Sequence, residues 1–514
     1  MQEYGMEALM RVKGYEMLVV LRDNTLNWVT HKKSAWSKKG PSGTVPVNEI
    51  ILAHLGDCKQ RGKRISTPST QFTVYHVSRR SAQRWIVQAV TFTAPDAQVA
   101  NSWVQTLQEQ IHPSGNTRPQ RLLVFINPYG GRGKASKVFR KKISPLFQLA
   151  GIETEVIETT RANHARDFIL EEDLQKYDGV VCVGGDGMFS ELLHGLVTRT
   201  QRDSGICEKD ENSVLTTCRL RIGIIPAGST DCVCFATVGI NDPVTSALHI
   251  IIGDTQPMDV CASYHAEQLK RFSVSLIGYG FFGDVLRESE KLRWMGPFRY
   301  DVSGFKMVLL NRAYRGTVEF LEADDCYSNP RDNTRCRTGC LVCSESSEKL
   351  REVMEAENHC CTSNKWKKVS GSFVAINVTG MSSACPKSQD GLSPTAHLAD
   401  GTADLILVHE CNMFRFLRHL KRHTSSKDQF ALPYVEVHRI HAMRFIPDHK
   451  EKDVTEEDNI RRRKSIFSTL CSGAPQTSTW NCDGEILECA QISVRVHHQL
   501  IQLFARGIEG TCCS

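Results

Sequence analysis

Three short apolar runs, each followed by a polar loop that contains glycine, stand out between residues 121 and 231 of the chain. The runs are Leu122–Ile126, Val180–Val183 and Leu220–Ile225. Each is rich in Val, Ile or Leu and too short for a helix, so each predicts a buried strand. Segments with helical spacing lie between them, such as Phe139–Gln148 and Ala165–Leu174. This alternation predicts a parallel sheet with crossover helices.

The pattern is different on either side of this α/β segment. Before it, Tyr15–Leu21, Gln71–Val77 and Trp85–Thr93 predict strands, and Asp96–Ile111 predicts a helix with an apolar face. After Met258 the chain becomes β-rich, with predicted strands at Phe272–Ile277, Gly316–Phe320, Ser372–Val378, Ala403–Val408, Tyr434–Ile440 and Ile492–Val496. We therefore expect a first β-rich unit, an α/β segment and a second β-rich unit.

The composition fits a globular protein with more than one domain. The chain has 514 residues, 41% of them apolar and 23% charged, and this length predicts two or three domains. No apolar run is long enough to cross a bilayer and the N-terminus lacks a secretory pattern, so we expect a cytoplasmic protein. The 20 cysteines, spread over a long chain, are expected to be reduced. A net charge of +6 is too small to indicate a nucleic-acid partner.

The loop after the second run carries the clearest candidate chemistry. Gly184, Gly185 and Gly187 surround Asp186, and a helical pattern follows from Ser190. Glycines between a strand and a helix expose backbone N–H groups that bind phosphate. A carboxylate at such a place would repel phosphate, unless it takes a proton from an attacking hydroxyl or helps to hold Mg²⁺. The alternative is an ordinary strand-to-helix turn with an Asp near the helix N-terminus.

Two companion loops favour the phosphoryl-transfer interpretation. The first run leads into a loop that begins Asn127-Pro128-Tyr129-Gly130, and the third leads into Pro226–Asp231. Three such loops at the ends of parallel strands meet along one edge of a sheet, where α/β folds bind ligands. The first loop is not a Walker A sequence, because its spacing differs from G-x-x-x-x-G-K-[ST].

These loops resemble the diacylglycerol kinase-type catalytic domain, which diacylglycerol, sphingosine and ceramide kinases share. The forms Val183–Gly195 and Pro226–Cys232 most resemble the ceramide kinase family, and the resemblance extends over nearly the whole chain. It implies a multidomain fold with a pleckstrin homology-like β-barrel plus helix as a membrane-targeting domain in residues 1–115. An α/β three-layer nucleotide-binding lobe would follow in residues 116–255. An antiparallel β-sandwich lobe would fill residues 256–514, with insertions at 322–368 and 448–479.

The resemblance also assigns roles to residues of this chain. It implies transfer of the ATP γ-phosphate to the primary hydroxyl of ceramide, with Asp186 as catalytic base and Mg²⁺ held through ATP; Ca²⁺ is a second possible cation. The acceptor would lie against Gly184, Gly185, Asp186 and Gly187. The residues expected around the nucleotide are Asn127, Pro128, Tyr129, Thr159, Glu191, Arg293, Arg299, Asp483, Gly484 and Glu485. Surface ion pairs with Glu288 or Glu290 are the alternative for Arg299, and a β-turn is the alternative for Asp483–Glu485.

One departure from the related sphingosine kinases bears on the substrate. Where those enzymes carry an aspartate that holds the substrate, this chain has Leu286, and Asp284 lies two residues earlier. A neutral amide gains little from a buried carboxylate, so leucine fits an N-acylated substrate. The alternatives are a sphingosine or diacylglycerol kinase, or a catalytically silent phosphoinositide-binding adaptor.

Two basic regions suggest partners. Lys32, Lys33, Lys38 and Lys39, with Lys59, Arg61, Lys63 and Arg64, lie in expected loops of the first unit. On a pleckstrin homology-like unit they would face phosphoinositide headgroups, peripherally on Golgi and plasma membranes by family resemblance. Residues 413–422 form a basic amphipathic helix that suits calmodulin or a membrane surface, unless it packs on the second lobe.

The cysteine-rich segment 322–368 contains a separate candidate. Cys336, Cys340 and Cys343 could supply three zinc ligands. Cys326, His359, Cys360 and Cys361 are nearby residues that could complete the set. The spacing is not that of paired C-x₂-C motifs, so the sequence alone assigns no metal here.

Overall fold

The computed structural model describes residues 5–31, 40–56, 69–112, 117–130, 133–323, 329–355, 366–425, 427–448 and 477–510. The basic clusters of the first unit, at residues 32–39 and 59–64, lie outside these ranges. Among the described helices no single one has the length and apolarity to cross a membrane, although one bent pair, Cys232–Val238 with Pro243–Ile252, meets that test by length and composition.

The N-terminal unit is a seven-stranded antiparallel sheet closed by one helix. Its strands are β1 (Met6–Val12), β2 (Tyr15–Arg22), β3 (Thr25–Thr30), β4 (Gly43–Pro46), β5 (Ile50–Leu55), β6 (Gln71–Ser81) and β7 (Arg84–Thr93), in the order β4-β3-β2-β1-β7-β6-β5. Helix α1 (Ala97–Ile111) begins at Asp96, whose carboxylate accepts the N–H of Val99 at 2.8 Å. Its apolar face places Trp103 and Leu107 in the core.

The α/β segment has a parallel sheet with helices on both faces. Its strands β8 (Arg121–Ile126), β9 (Glu153–Glu158), β10 (Gly179–Gly184) and β11 (Arg221–Pro226) lie in the order β11-β10-β8-β9. The helices are α2 (Ala135–Val138), continued through a π-helical turn into α3 (Ser144–Leu149), then α4 (His164–Glu171), α5 (Asp186–Asp203), α6 (Cys232–Val238) and α7 (Pro243–Ile252). Helices α4, α5 and α6 pack on one face, and α2, α3 and α7 pack on the other.

The remaining strands form an antiparallel lobe. They are β12 (Gln256–His265), β13 (Gln268–Ser273), β14 (Ile277–Gly280), β15 (Tyr314–Glu322), β16 (Lys367–Thr379), β17 (Ala403–His409), β18 (Val435–Pro447), β19 (Trp480–Cys482), β20 (Glu485–Leu487) and β21 (Ile492–Leu503). Helices α8 (Phe281–Glu290) and α9 (Arg299–Leu310) follow β14, α10 (Leu341–Glu355) follows β15, and α11 (Met413–Arg422) follows β17. Helix α10 lies inside the predicted insertion 322–368, where the sequence pattern predicted no helix.

Strand β21 joins the two lobes into one sheet. It pairs antiparallel with β12 and β18, and its end pairs parallel with β11 through Ile222 and Leu503. The result is a single 14-stranded sheet in the described part of the chain. The sequence pattern predicted two separate lobes. It could not show that they share a sheet, because the pairing of residue 222 with residue 503 leaves no periodic signal in either segment.

The N-terminal unit packs against the α/β segment through Trp85. Its indole is 1% exposed and stacks on the His249 ring of α7, with ring centroids 3.9 Å apart. Its backbone N–H donates to Thr245 Oγ1 at 3.0 Å, and its Nε1–H donates to Glu509 at 3.1 Å. The predicted N-terminal unit therefore shares a core with the lobe that follows it.

Ion pairs surround this aromatic contact. Arg79 of β6 pairs with Glu49 at 2.5 Å and with Glu509 at 2.7 Å, while Arg506 pairs with Glu49 and with Asp254. The guanidinium groups of Arg79 and Arg506 lie 4.7 and 4.8 Å from the centre of the Trp85 ring. The hydrogen bonds that Arg79 donates to Glu49 and Glu509 raise the pKa of Arg79, so its guanidinium stays charged at every physiological pH.

We expect Trp85→Ala to lower the free energy of unfolding by about 3–5 kcal/mol, since it empties a buried site of aromatic size. Urea unfolding measures this loss, and amide exchange should rise in α7, which loses its stacking partner. Trp366→Ala is the matched control, because Trp366 is 42% exposed and should cost little. Unchanged exchange in α7 in the Trp85 variant would contradict the shared core.

Candidate active site

The loops that follow β8, β10 and β11 lie side by side at the carboxyl edge of the parallel strands. The N–H of Asn127 donates to Val183 O at 3.1 Å, and the N–H of Ala227 donates to Gly184 O at 2.9 Å. The loop after β9 joins them, because the N–H of Thr159 donates to Ile126 O at 2.8 Å. This edge is the position at which open α/β sheets bind ligands.

Asn127 and Thr159 shape the first part of this edge. Asn127 Oδ1 accepts the N–H groups of Tyr129 and Gly130, at 3.0 and 2.9 Å, and so holds the first loop in a turn. Thr159 is buried, and its hydroxyl lies 3.3 Å from Ile126 O. Tyr129 is 79% exposed beside them, so its ring is available to a ligand.

Two glycines let the second and third loops cross. A Cβ built on Gly228 would lie 2.6 Å from the Gly185 Cα, and one built on Gly185 would lie 3.1 Å from the Gly228 Cα. A side chain at Gly228 would therefore push the loops apart. Gly187 has open space where a Cβ would be, so the first turn of α5 is accessible.

Asp186 is the first residue of α5, and its carboxylate faces the N-terminus of α6. Its two oxygens accept the N–H groups of Cys232 and Val233, each at 3.0 Å. These bonds fix the orientation of the carboxylate and tie the second loop to the third. Each oxygen keeps a further lone pair for another donor or a cation.

A second carboxylate, that of Asp231, stands beside Asp186. Asp231 is 7% exposed and has a positive φ of 52°, and its Oδ1 accepts the N–H of Gly228 at 2.9 Å. Burial and the nearby charge of Asp186 raise the pKa of Asp231 to about 7. Two carboxylates side by side offer hard oxygen ligands that fit Mg²⁺, and the N-terminal end of α5 offers N–H groups that fit phosphates.

The Asp483–Glu485 segment is a hairpin turn between β19 and β20, in line with the β-turn alternative. Asp483 and Gly484 both have positive φ, 50° and 89°, as a tight hairpin turn requires. The Asp483 carboxylate accepts the N–H groups of Val274, Ser275 and Leu276 at 2.7–3.1 Å. Burial raises its pKa, while the three donors oppose that shift. Asp483 thus anchors a backbone segment, and Glu485 remains exposed.

The expected arginines are engaged with protein carboxylates. Arg299 pairs with Glu290 at 3.1 Å, which agrees with the ion-pair alternative given for Arg299 above. Arg293 pairs with the same carboxylate. The hydrogen bond to Glu290 raises the pKa of Arg293, and the nearby charge of Glu485 adds to this shift. The Arg293 side chain is 74% exposed, so it is free to turn toward a ligand. Their contact with the nucleotide stays a prediction.

Glu191 also has a protein partner. Its Oε2 accepts the N–H of Ala165 at 3.3 Å, at the N-terminal end of α4. The contact places the Glu191 carboxylate next to the loop that starts at Thr159, on the nucleotide side of the predicted site. Its direct contact with the nucleotide stays a prediction.

Leu286 and Asp284 occupy buried positions on α8. Leu286 is 4% exposed. Asp284 accepts hydrogen bonds from Tyr314 at 2.5 Å, Arg287 at 2.6 Å and Ser478 at 2.8 Å. These three protein donors already engage the carboxylate of Asp284.

Sequence reasoning gave no role to Asp231, Cys232 or Ser275, although all three connect parts of the site. The Cys232 thiol lies 3.7 Å from Ser275 Oγ and donates to Ala384 O at 3.4 Å. Ser275 in turn donates its N–H to Asp483. The sequence did contain a signal for Asp231, because it is a second acidic residue in a loop that contains glycine. The contacts of Cys232 with residues far along the chain leave no signal in the sequence.

The basic helix predicted at residues 413–422 is present as α11. Phe416 is 1% exposed and its ring lies 4.9 Å from that of Phe281, so this side of the helix packs on the lobe. Phe414 and Leu417, at 74% and 42%, are exposed. Packing on the lobe, the alternative left open by the sequence, is what the structure shows.

Comparison with known proteins is consistent with this geometry. Residues 6–107 match the ceramide kinase PH domain, residues 121–263 the diacylglycerol kinase catalytic domain, and residues 275–512 the ceramide kinase C-terminal domain. These matches and the sheet topology confirm the predicted fold class. A putative diacylglycerol kinase from Bacillus anthracis str. Sterne aligns with a TM-score of 0.48 at 14% identity, over 77% of this chain and 99% of that one.

Two curated relatives are similar along nearly their full length. The chain is 46% identical to the ceramide kinase of Homo sapiens over 498 residues, which covers 92% of each chain. It is 47% identical to the ceramide kinase of Mus musculus over 482 residues, which covers 91% of this chain and 90% of that one. With all three family matches in the same order as the structural units, the chain belongs to the ceramide kinase family.

Proposed function

We propose that this protein transfers the γ-phosphate of ATP to the primary hydroxyl of ceramide and so forms ceramide 1-phosphate. The observation that carries the proposal is the position of Asp186. Its carboxylate is fixed by α6, lies in the first turn of α5, and adjoins the glycine loops that follow β8 and β11. A fixed carboxylate, glycine loops and an open approach lie together at one sheet edge, and this arrangement supports the proposal.

In the proposed reaction the substrate oxygen attacks the γ-phosphorus and the bond to the bridging oxygen of ADP breaks. The hydroxyl proton passes to the free lone pair of the Asp186 carboxylate. The N–H groups at the start of α5, where Gly187 leaves open space, would hold phosphate oxygens, and Asn127 keeps the first loop in a fixed turn next to them. Bound Mg²⁺, or Ca²⁺ as the second candidate, would neutralise charge on the transferred group; Asp186 and Asp231 are the residues that fit it.

The structure supports the choice of ceramide over sphingosine in one respect. Leu286 presents no carboxylate, and the nearby Asp284 is held by Tyr314, Arg287 and Ser478. A cationic amine would therefore find no free carboxylate at this part of α8. The adaptor alternative is not favoured, since Asp186 retains the orientation that a base needs.

We also propose that the enzyme meets its substrate at a membrane surface through an apolar patch beside α8. The membrane patch consists of exposed residues on α9, on the turn before it and on α11: Trp294, Phe298, Tyr300, Phe305, Leu309, Leu310, Phe414 and Leu417. Asn311, which follows α9, donates to Cys411 O at 2.7 Å and so brings the two helices together. Apolar residues of this number on a surface mark an interaction site, and basic residues of α11 flank them.

The membrane patch adds to the targeting role proposed for the N-terminal unit. That unit would meet phosphoinositide headgroups, peripherally on Golgi and plasma membranes, through its basic residues at 32–39 and 59–64. Calmodulin is less favoured as the partner of α11, since Phe416 would have to leave its packed position against Phe281.

We expect Asp186→Asn to reduce kcat by about 10²–10⁴, because the amide cannot accept the hydroxyl proton. Its Oδ1 can still accept one of the N–H groups of α6, so the fold and ATP binding should be largely retained. Steady-state kinetics with ceramide in micelles and ATP binding by calorimetry measure the two effects. Near-normal turnover would remove Asp186 from the mechanism.

We expect Asp231→Asn to raise Tm at pH 8 and to leave it unchanged at pH 4. The pKa of Asp231 is raised by folding, so its ionisation destabilises the fold increasingly between about pH 4 and pH 7, and by a constant amount above that. Asparagine removes this charge and keeps the acceptor for Gly228. Calorimetric scans at both pH values measure the difference, and Asp210→Asn, an exposed site, is the control. Equal Tm values for wild type and variant at pH 8 would contradict the raised pKa.

We expect the double variant Trp294→Ser/Phe305→Ser to bind ceramide-containing vesicles at least about tenfold more weakly, since it removes the two most exposed aromatic residues around α9. Vesicle sedimentation measures binding, and kcat for a short-chain ceramide dispersed in detergent should change little. Val214→Ser, at a 73% exposed apolar residue elsewhere, is the control. Undiminished binding by the double variant would exclude the membrane patch.

A further inference from the structure

Three cysteines and one histidine meet in the C-terminal lobe, away from the proposed phosphoryl-transfer site. The cluster consists of Cys336, Cys340 and Cys343, next to the start of α10, and His397, which lies 57 residues after Cys340. One ligand atom from each residue lies within 4.8 Å of all the others. The sequence identified the three cysteines, but the histidine comes from a different loop. The other residues it considered, Cys326 and His359–Cys361, lie outside the described ranges.

The distances inside the cluster fit a tetrahedral ion. Cys336 Sγ and Cys343 Sγ are 3.7 Å apart, and Cys340 Sγ is 3.3 Å from His397 Nδ1. Around a zinc ion with Zn–S bonds of about 2.3 Å, two sulfurs of a tetrahedron lie about 3.8 Å apart. A sulfur and a nitrogen lie about 3.5 Å apart on the same geometry. The pair distances are therefore close to those of a loaded site.

In the described part of the chain, His397 has one nitrogen without a hydrogen-bond partner and the three cysteines form no disulfide. His397 is 1% exposed, and its Nε2 has no hydrogen-bond partner among the described residues. The three cysteines are free thiols. A disulfide would need two sulfurs about 2.05 Å apart, far closer than the 3.7 Å between Cys336 and Cys343. A buried histidine whose Nδ1 faces thiols can act with them as a ligand of a soft or borderline metal ion.

We propose that Cys336, Cys340, Cys343 and His397 bind one zinc ion in a closed, structural Cys₃His site. Four protein ligands leave no open position for a water molecule. A catalytic zinc site, in contrast, keeps one position for water or substrate. The backbone N–H groups of Leu398 and Cys343 bond to the sulfurs of Cys336 and Cys340. Such N–H donors offset the excess negative charge that three thiolates leave on a zinc centre.

The proposed zinc site would join two segments that sequence separates. One is the segment that begins α10, and the other is the loop 381–398 between β16 and β17. The far end of this loop reaches the active site, where Ala384 O accepts the thiol of Cys232 and Ser383 Oγ donates to Ser275 O at 3.0 Å. The metal would therefore hold a loop that supports the Asp186–α6 contact, and act on catalysis only by positioning.

The direct test is the metal content of the full chain, purified with a reductant and without added metal. Plasma mass spectrometry should find about one zinc per chain. Cys340→Ser and His397→Ala should each lose most of it, whereas His397→Cys should retain it as a Cys₄ site. The matched controls are Cys207→Ser, an exposed thiol elsewhere, and Cys385→Ser, a cysteine of loop 381–398 outside the cluster. Both controls should keep the wild-type zinc content.

A second measurement uses only the wild-type chain, so it tests the proposal even if the variants fail to fold. Zinc is removed from the wild-type chain with a chelator and replaced by Co²⁺, whose thiolate charge-transfer band in the near ultraviolet should correspond to three sulfur ligands. Wild-type protein without zinc, or zinc content that is unchanged in both Cys340→Ser and His397→Ala, would overturn the proposal. A Cys336–Cys343 disulfide that peptide mass spectrometry finds in most of the protein purified with a reductant would overturn it as well.

Discussion

The hydrogen bonds of strand β21 determine how the two lobes of the catalytic region are placed. Its main length pairs with β12 and β18, and its last residue, Leu503, pairs with Ile222 of the parallel strands. The next residue, Phe504, donates its N–H to Ile222 O at 2.9 Å. Because a hydrogen-bonded sheet fixes register, the loops of the α/β segment and the Asp483 turn have one relative position. The candidate active site depends on this position, since the residues predicted for it come from both lobes.

Within that frame, the site is assembled by backbone groups more than by side-chain contacts. Asp186 and Asp483 each use a carboxylate to hold backbone N–H groups, on α6 and on residues 274–276. The two anchors are linked through Cys232 and Ser275. The crossing of Gly185 and Gly228 requires that these two residues carry no side chain, because a Cβ on Gly228 would collide with the neighbouring loop. Such an arrangement tolerates change at Gly187 far better than at Gly228.

The sequence predicted the parts of the fold that depend on local pattern. The strands before each glycine loop, the helix with Trp103 and the loop of Asp186 follow from periodicity and glycine placement. What it missed depends on long-range contacts: the pairing of β21 with β11, the engagement of Asp284 by Tyr314, and the approach of His397 to the cysteines. A carboxylate that binds a ligand and one that binds a protein donor look the same in sequence. Only the position of the donors distinguishes Asp483 from Glu485.

Helix α6 gives the N-terminal unit a physical connection to the active site. The N-terminal end of this helix donates to Asp186, and its other end, at Gly239, lies against Gln83 of the N-terminal unit. A Cβ on Gly239 would lie 3.1 Å from the Gln83 side chain, which also donates to Glu509 O at 2.6 Å. A cavity of about 360 Å³ adjoins this contact and reaches Cys336, one of the proposed zinc ligands, and Leu398, which follows the ligand His397. A shift of the N-terminal unit would therefore act at one place on both α6, which orients the Asp186 carboxylate, and loop 381–398, which supports that contact.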